Sequence, residues 1–358
     1  MLLRPSQSAI WTKCAAQPRF SAALPEEPES DPAREGTAAA WLAEQALTGV
    51  VSSVYDCEGQ THENGWLIEN DMCQHISGYV ELVNSLGGAV HAERFVRLTN
   101  HIAGTLDSCS VLENGTLYVT DLKYGYDIVE PFENTQLLIY ALGMVQQIRL
   151  ENIKRVVLGI YQPRGFHSDG IYRTWTVTTE DIPRYYDYIL KSEALALNDA
   201  SEATPGKHCK YCPARFKCQA LTHSVYSMIP VITDARDPEP TSHNLASELE
   251  FLDRAKSLIE ARYNAVRSEA ETRLGRGEHL PGWYMKQRHG NRKTTVDPNV
   301  IEAITGVDPY KKVLRSPAEL EKAGASKKSV ALISKTPVIG RKLEPLPADH
   351  YQKMFGAK

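Results

Sequence analysis

Two strand-like segments, "GTLDSCSVL" at 104–112 and "TLYVTDLKYG" at 116–125, are joined through "ENG". Asn-Gly between alternating apolar runs is a strong short-range hairpin signal, so an antiparallel pair is the first fixed point of the fold. If the loop is Glu113, Asn114 and Gly115, then Leu112 pairs with Thr116 and Asp107 falls opposite Asp121. A two-residue loop would instead send the two acids to opposite faces. Directly opposed like charges destabilise a strand pair. In the second strand Asp121 and Lys123 stand two positions apart, on one face. Two carboxylates forced together on an apolar hairpin call for a divalent cation, and Mg²⁺ suits them because it needs few protein ligands and keeps waters for a phosphate. Lys123 can then position or help deprotonate a water, or stabilise charge on phosphorus. A surface-facing Asp/Lys pair on an edge strand is the plainer alternative.

Strand periodicity runs on either side of the hairpin. "VHAERFVRL", "IKRVVLGIYQ" and "IYRTWTVT" read as further strands. "EGTAAAWLAEQAL" (35–47), "WLIENDMCQHISGYVELVNSLGG" (66–88), "ENTQLLIYALGMVQQIR" (133–149) and "TEDIPRYYDYILKSEALAL" (179–197) read as helices. This order predicts an α/β (α+β sandwich) fold, with a mixed central sheet flanked by helices. The expected organisation is a domain over 1–229, a Pro- and Asp-rich linker over 230–244, and a helical, basic extension over 245–358. In that extension Ser316 and Glu319 form a capping-box pattern.

The apolar share of 42% and charged share of 23% are ordinary for a globular chain. No run of 18 apolar residues suggests a membrane span, and Arg4 and Pro5 interrupt any signal-peptide core, so a cytoplasmic location is expected. The net charge of −4 hides an asymmetry: residues 271–358 hold 17 Lys and Arg against 9 Asp and Glu. Such a segment can track a phosphate backbone, and Lys286, Arg288, Arg292 and Lys293 in "KQRHGNRK" are the expected DNA contacts, supported by the basic "KHCKYCPARFK".

Seven cysteines, odd in number, do not make a secreted disulfide framework. Cys73 and Cys109 read as core thiols, and Cys57 as a residue of a polar loop. "HCKYCPARFKC" gives Cys209, Cys212 and Cys218, a C-x2-C-x5-C run open to a zinc knuckle or a redox pair, with His208 the one local fourth ligand.

"GTLD" at 104–107, "DLK" at 121–123 and "QLLIY" at 136–140 together resemble motifs II, III and Q-x-x-x-Y of the RecB-like branch of the PD-(D/E)XK nuclease superfamily. The resemblance implies a restriction-endonuclease-like core in which Asp107 and Asp121 bind Mg²⁺ or Mn²⁺, Lys123 acts on the water, and Gln136 and Tyr140 support the site and the DNA. The family's motif I carries a His where this chain has Ala40. Glu44, one turn on, is the nearest replacement ligand, Glu35 or water are others, and Glu93 is a weaker one. Cys14 completes a set of four thiolates such as a [4Fe-4S] cluster requires. One Cys ahead of the core and three behind it is similar to the iron-sulfur nucleases of the same branch, where the cluster staples the ends of the fold. "SAIWTKC", "EGTAAAWLAE", "HCKYC" and "SPAELEKAG" are similar to nuclease-like proteins carried by phages and prophages. The implied function is a metal-dependent exonuclease acting on single-stranded DNA or duplex ends, alongside phage replication or recombination proteins, in a bacterial cytoplasm. The alternative is a catalytically impaired DNA-binding or assembly protein that keeps the nuclease fold.

Overall fold

The computed structural model describes residues 1–25, 29–148, 153–228, 241–289, 293–294, 296–310, 314–335 and 338–345. They form two units, Met1–Arg262 and Tyr263–Lys358. The division falls inside a long helix rather than at the expected linker, of which residues 230–240 lie outside the described residues.

The first unit opens with helices α1 (Ser8–Trp11), α2 (Gln17–Ala22), α3 (Asp31–Leu47) and α4 (Asn70–Ser85). A five-stranded sheet follows, ordered as in the sequence: β1 (Ala89–Arg97), β2 (Ala103–Val111), β3 (Thr116–Leu122), β4 (Arg155–Tyr161) and β5 (Tyr172–Thr178). Every neighbouring pair is antiparallel except β3 and β4. A parallel pair needs a crossover, and α5 (Thr135–Ile148) provides it. Helices α6 (Ile182–Leu197) and α7 (Gln219–Tyr226) follow, and α8 (Ser242–Gly275) is the helix in which the division falls. The expected mixed sheet flanked by helices is therefore present.

One core joins the sheet to α5 and α6 through Leu106, Leu117, Val119, Leu137, Met144 and Leu158. A second core joins α3 and α4 through Leu42, Ile76 and Tyr79 to Leu122, Tyr124 and Tyr161. Burying each such leucine contributes about 1.5–3 kcal/mol. Helix α5 is buried continuously from Leu137 to Val145, as an apolar helix inside layers must be. Cys57, expected in a polar loop, is instead buried in the second core. It ends a 3-10 turn, Val54–Cys57, whose start is closed by a Ser53–Asp56 capping box.

The hairpin loop has three residues. The Leu112 amide donates to the Thr116 carbonyl, and Gly115 takes the left-handed conformation that the chain reversal needs (φ +82°).

In the second unit β6 (Trp283–His289) pairs with β9 (Val338–Pro345), and β7 (Lys293–Thr294) pairs with β8 (Ser334–Lys335). A small core of Ile301, Leu320, Val330 and Ile333 gathers its short helices, and the Ser316–Glu319 capping box is formed.

Candidate active site

The three-residue loop sets the register Ser108↔Thr120, and the next step toward the open end of the hairpin brings Asp107 level with Asp121. On the other side of β2, the pairs Ala92↔Ser108 and Arg94↔Leu106 bring Glu93 level with Asp107. Three acids thus lie in a row across three adjacent strands. Glu93 has φ +46°, a left-handed backbone that is strained for a residue with a side chain and clusters at functional sites.

Asp121 is almost fully buried. Its Oδ1 accepts from Gln136 Nε2 at 2.9 Å, and its Oδ2 forms an ion pair with Lys123 Nζ at 2.8 Å. Lys123 Nζ also donates to Gln136 Oε1 at 3.1 Å, so one amide holds both the acid and the base. Gln136 is itself placed by Asn134, whose Oδ1 accepts from the Gln136 and Leu137 amides at the start of α5. Tyr140, one turn along α5, is buried beside Gln136. Asp107 Oδ2 accepts from the Leu122 amide at 2.7 Å.

The electrostatics follow from this crowding. Burial, and then the Asp121 charge, pushes the Asp107 carboxyl up, while Lys123 and the Leu122 amide oppose the shift. Burial and Glu44 push Glu93 up to about 7. Burial pulls the Lys123 ammonium down, but Asp121 and Asp107 outweigh it and its pKa rises. Lys123 therefore stays cationic at neutral pH, which suits charge stabilisation better than proton abstraction.

Of the residues expected from sequence, Asp107, Asp121, Lys123, Gln136 and Tyr140 come together. Glu44 lies on α3 within electrostatic reach of Glu93 but outside the row. Glu35 is engaged elsewhere, in a 2.7 Å ion pair with Arg164. Ala40 lies on α3 and offers no ligand. Lys286 and Arg288 lie on β6 and Lys293 on β7, in the second unit, and Arg292 falls outside the described residues. Glu93, the weaker candidate ligand, has its signal in the strand register, which places it two strands from Asp121.

Cys14, Cys209, Cys212 and Cys218 line one small cavity, which also touches His208. Cys14 follows α1, Cys209 and Cys212 lie on tight turns, and Cys218 caps α7. Backbone amides of Thr204, Gly206 and Leu221 point at the sulfurs of Cys14, Cys209 and Cys218, each at 3.4 Å. Burial pushes the Cys212 thiol up to about 11, helped by the neighbouring thiols. His208 Nε2 is bonded to the Thr204 carbonyl. Among the described residues, no group of three or more His, Cys, Asp or Glu side chains is closed tightly enough to hold a metal ion as it stands. That holds for the acid row and for the cysteines alike. No helix among the described residues is long and apolar enough to cross a membrane.

The family described as "Protein of unknown function (DUF2800)" matches residues 1–342. No curated protein matches the chain. Similar solved structures include a proposed exonuclease of Eubacterium rectale, 9% identical, covering 68% of this chain and 92% of that one at a TM-score of 0.35. SSO0001 is 14% identical, covering 61% and 86% at 0.29. An alkaline exonuclease of Laribacter hongkongensis is 11% identical, covering 55% and 89% at 0.24.

Proposed function

The chain belongs to the DUF2800 family, and from its acid row we propose that it is a divalent-metal-dependent deoxyribonuclease that hydrolyses phosphodiester bonds. The observation that carries this reading is Asp107 beside Asp121, with Lys123 and Gln136 bonded to the second acid. Clustered carboxylates repel phosphate, so a simple binder gains nothing from them; a cation between them reverses the sign.

The donor set fits Mg²⁺ or Mn²⁺. It consists of hard oxygens, and the crowded carboxyls of Asp107 and Asp121 face a single ammonium, that of Lys123. Asp107 and Asp121 would hold the ion, with Glu93 or Glu44 adding a third carboxylate. Bound there, it supplies Lewis-acid polarisation of the phosphate and lowers the pKa of a water. Lys123 offsets charge that develops on the phosphate oxygens. Gln136 fixes the Asp121 carboxylate and the Lys123 ammonium in one geometry, and Tyr140 packs behind it.

The four cysteines fit a soft metal centre, since four sulfurs share one cavity and backbone amides already point at three of them. By ligand count and by resemblance we read it as a [4Fe-4S] cluster that ties residue 14 to residues 209–218. Action on DNA ends, as an exonuclease in phage replication or recombination within a bacterial cytoplasm, is the finer reading drawn from the sequence resemblance. Ala40 in place of the motif I His favours a second reading, a DNA-binding protein without catalysis.

The test is cleavage of end-labelled single- and double-stranded DNA by the wild type and Asp121→Ala with Mg²⁺ or Mn²⁺. Metal-dependent cleavage by the wild type alone is expected. Cleavage that survives the substitution would sink the metal-site assignment, and wild-type inactivity on every substrate would favour the binder.

A further inference from the structure

Immediately beyond Lys123 the chain enters a polar cleft that the proposed chemistry does not use. It encloses about 600 Å³, part of it open to solvent, and is walled by α3, the start of α4 and the segment after β3. Tyr124 follows the catalytic lysine directly, and its hydroxyl meets His75 Nδ1 at 3.1 Å. The guanidinium of Arg164 lies 4.6 Å from the Tyr124 ring centre and 4.2 Å from that of Tyr126. Its Nη1 is paired with Glu35 at 2.7 Å.

These contacts occupy Arg164, whose charge is matched by Glu35 and whose guanidinium lies against two phenol rings. The remaining charged groups lining the cleft are Glu69 and Asp71. Burial and Arg164 depress the His75 pKa, so the imidazole is neutral at pH 7. The cleft is therefore net negative and a poor seat for a phosphate. It does offer aromatic surface, because Tyr126 is 68% exposed and Trp66 also lines it. Carboxylates at its rim accept from N–H donors.

The backbone that carries Tyr126 is also pre-positioned. Fully buried Gln162 donates to the carbonyls on either side of it, Gly125 at 2.8 Å and Asp127 at 2.9 Å. Asp127 is held in turn by Lys210 at 2.9 Å. A ring carried on backbone fixed before binding loses less entropy on stacking.

We propose that this cleft receives the unstacked base of a single-stranded nucleotide, stacked on Tyr126 with its N–H edge toward Asp71. The inference rests on the nuclease reading for its single-stranded DNA ligand. A stacked base contributes enough affinity that its loss weakens binding by about tenfold or more.

The probe is a ten-nucleotide single strand in which one abasic site is moved along the sequence, bound in Ca²⁺ to the full chain. In the wild type one position should carry a penalty of about tenfold. Tyr126→Phe should keep that penalty, and Tyr126→Ala should bring the ratio of intact to abasic affinity close to one. A penalty unchanged in Tyr126→Ala, or found at no position, overturns the proposal. Failure of the nuclease reading looks different: with Mg²⁺ or Mn²⁺ the wild type cleaves nothing, while the penalty at one position persists.

Discussion

The acid row and the cysteine set both crowd like groups together, yet they do so by different means. Glu93, Asp107 and Asp121 come from adjacent strands, and the row contains its own cation, Lys123, and its own orienting amide, Gln136. The four cysteines draw residue 14 to residues 209–218 on short turns, and what meets three of their sulfurs is backbone N–H. A row with a built-in ammonium can stand while a metal comes and goes. Burial disfavours the thiolate at Cys209 and Cys212, and a cation bound there, as proposed above, would also join distant parts of the chain. On the proposed reading, the first arrangement would serve turnover and the second support.

The contrast breaks or holds on stability. Structural metal sites contribute on the order of 10 kcal/mol, and each kcal/mol moves the Tm of a domain of this size by about 2–4 °C. Cys212→Ser, purified without oxygen, should lose visible absorbance and more than about 10 °C of Tm by calorimetry. Asp121→Asn should abolish cleavage and leave Tm little changed, because it relieves the crowding with Asp107 while keeping a polar partner for Gln136 and Lys123. Equal Tm losses in the two variants would erase the distinction. A smaller effect sharpens it within the row: Gln136→Ala should lower kcat about 10²-fold, the scale of losing one oriented polar group, with KM for DNA little changed. A loss confined to KM would move Gln136 from the chemistry to DNA binding.

The same two regions differ in how far the sequence displays them. The hairpin was legible because Asn114-Gly115 sets a turn type, the turn sets the register, and the register sets which acids face each other. Gln136 and Tyr140 were legible because a four-residue step keeps one helical face. The gathering of Cys14 with the C-x2-C-x5-C run came from resemblance, since nothing local says that residue 14 meets residue 209. Glu93 is hard to read from sequence because its place depends on a second strand pairing and on a left-handed backbone that no propensity predicts. Gln162 was invisible for a similar reason: its bonds reach 35 and 37 residues back to a loop, and its burial appears only once β4 is in place.

Glu93 supports the two smaller tests. If it completes the metal set, Glu93→Gln should raise the Mn²⁺ concentration for half-maximal cleavage about tenfold, in the range seen when a metal-site partner is lost, and Glu44→Gln should shift it less. The reverse order would return the third ligand to α3. The smallest effect is on pH. The Glu93 carboxyl is raised from 4.5 to about 7, so between those values the folded chain keeps a proton that the unfolded chain releases. Stability is then full below pH 4.5 and falls as pH climbs through about 7, and Asp107 acts in the same direction. In EDTA the Tm should decline from pH 5 to 8, and Glu93→Gln should flatten part of that decline. Saturating Mn²⁺ should oppose it, because the ion binds the ionised carboxylates and stabilises the fold most where they are deprotonated. A Tm that rises with pH in EDTA would mean that the acid row does not carry the strain its geometry implies.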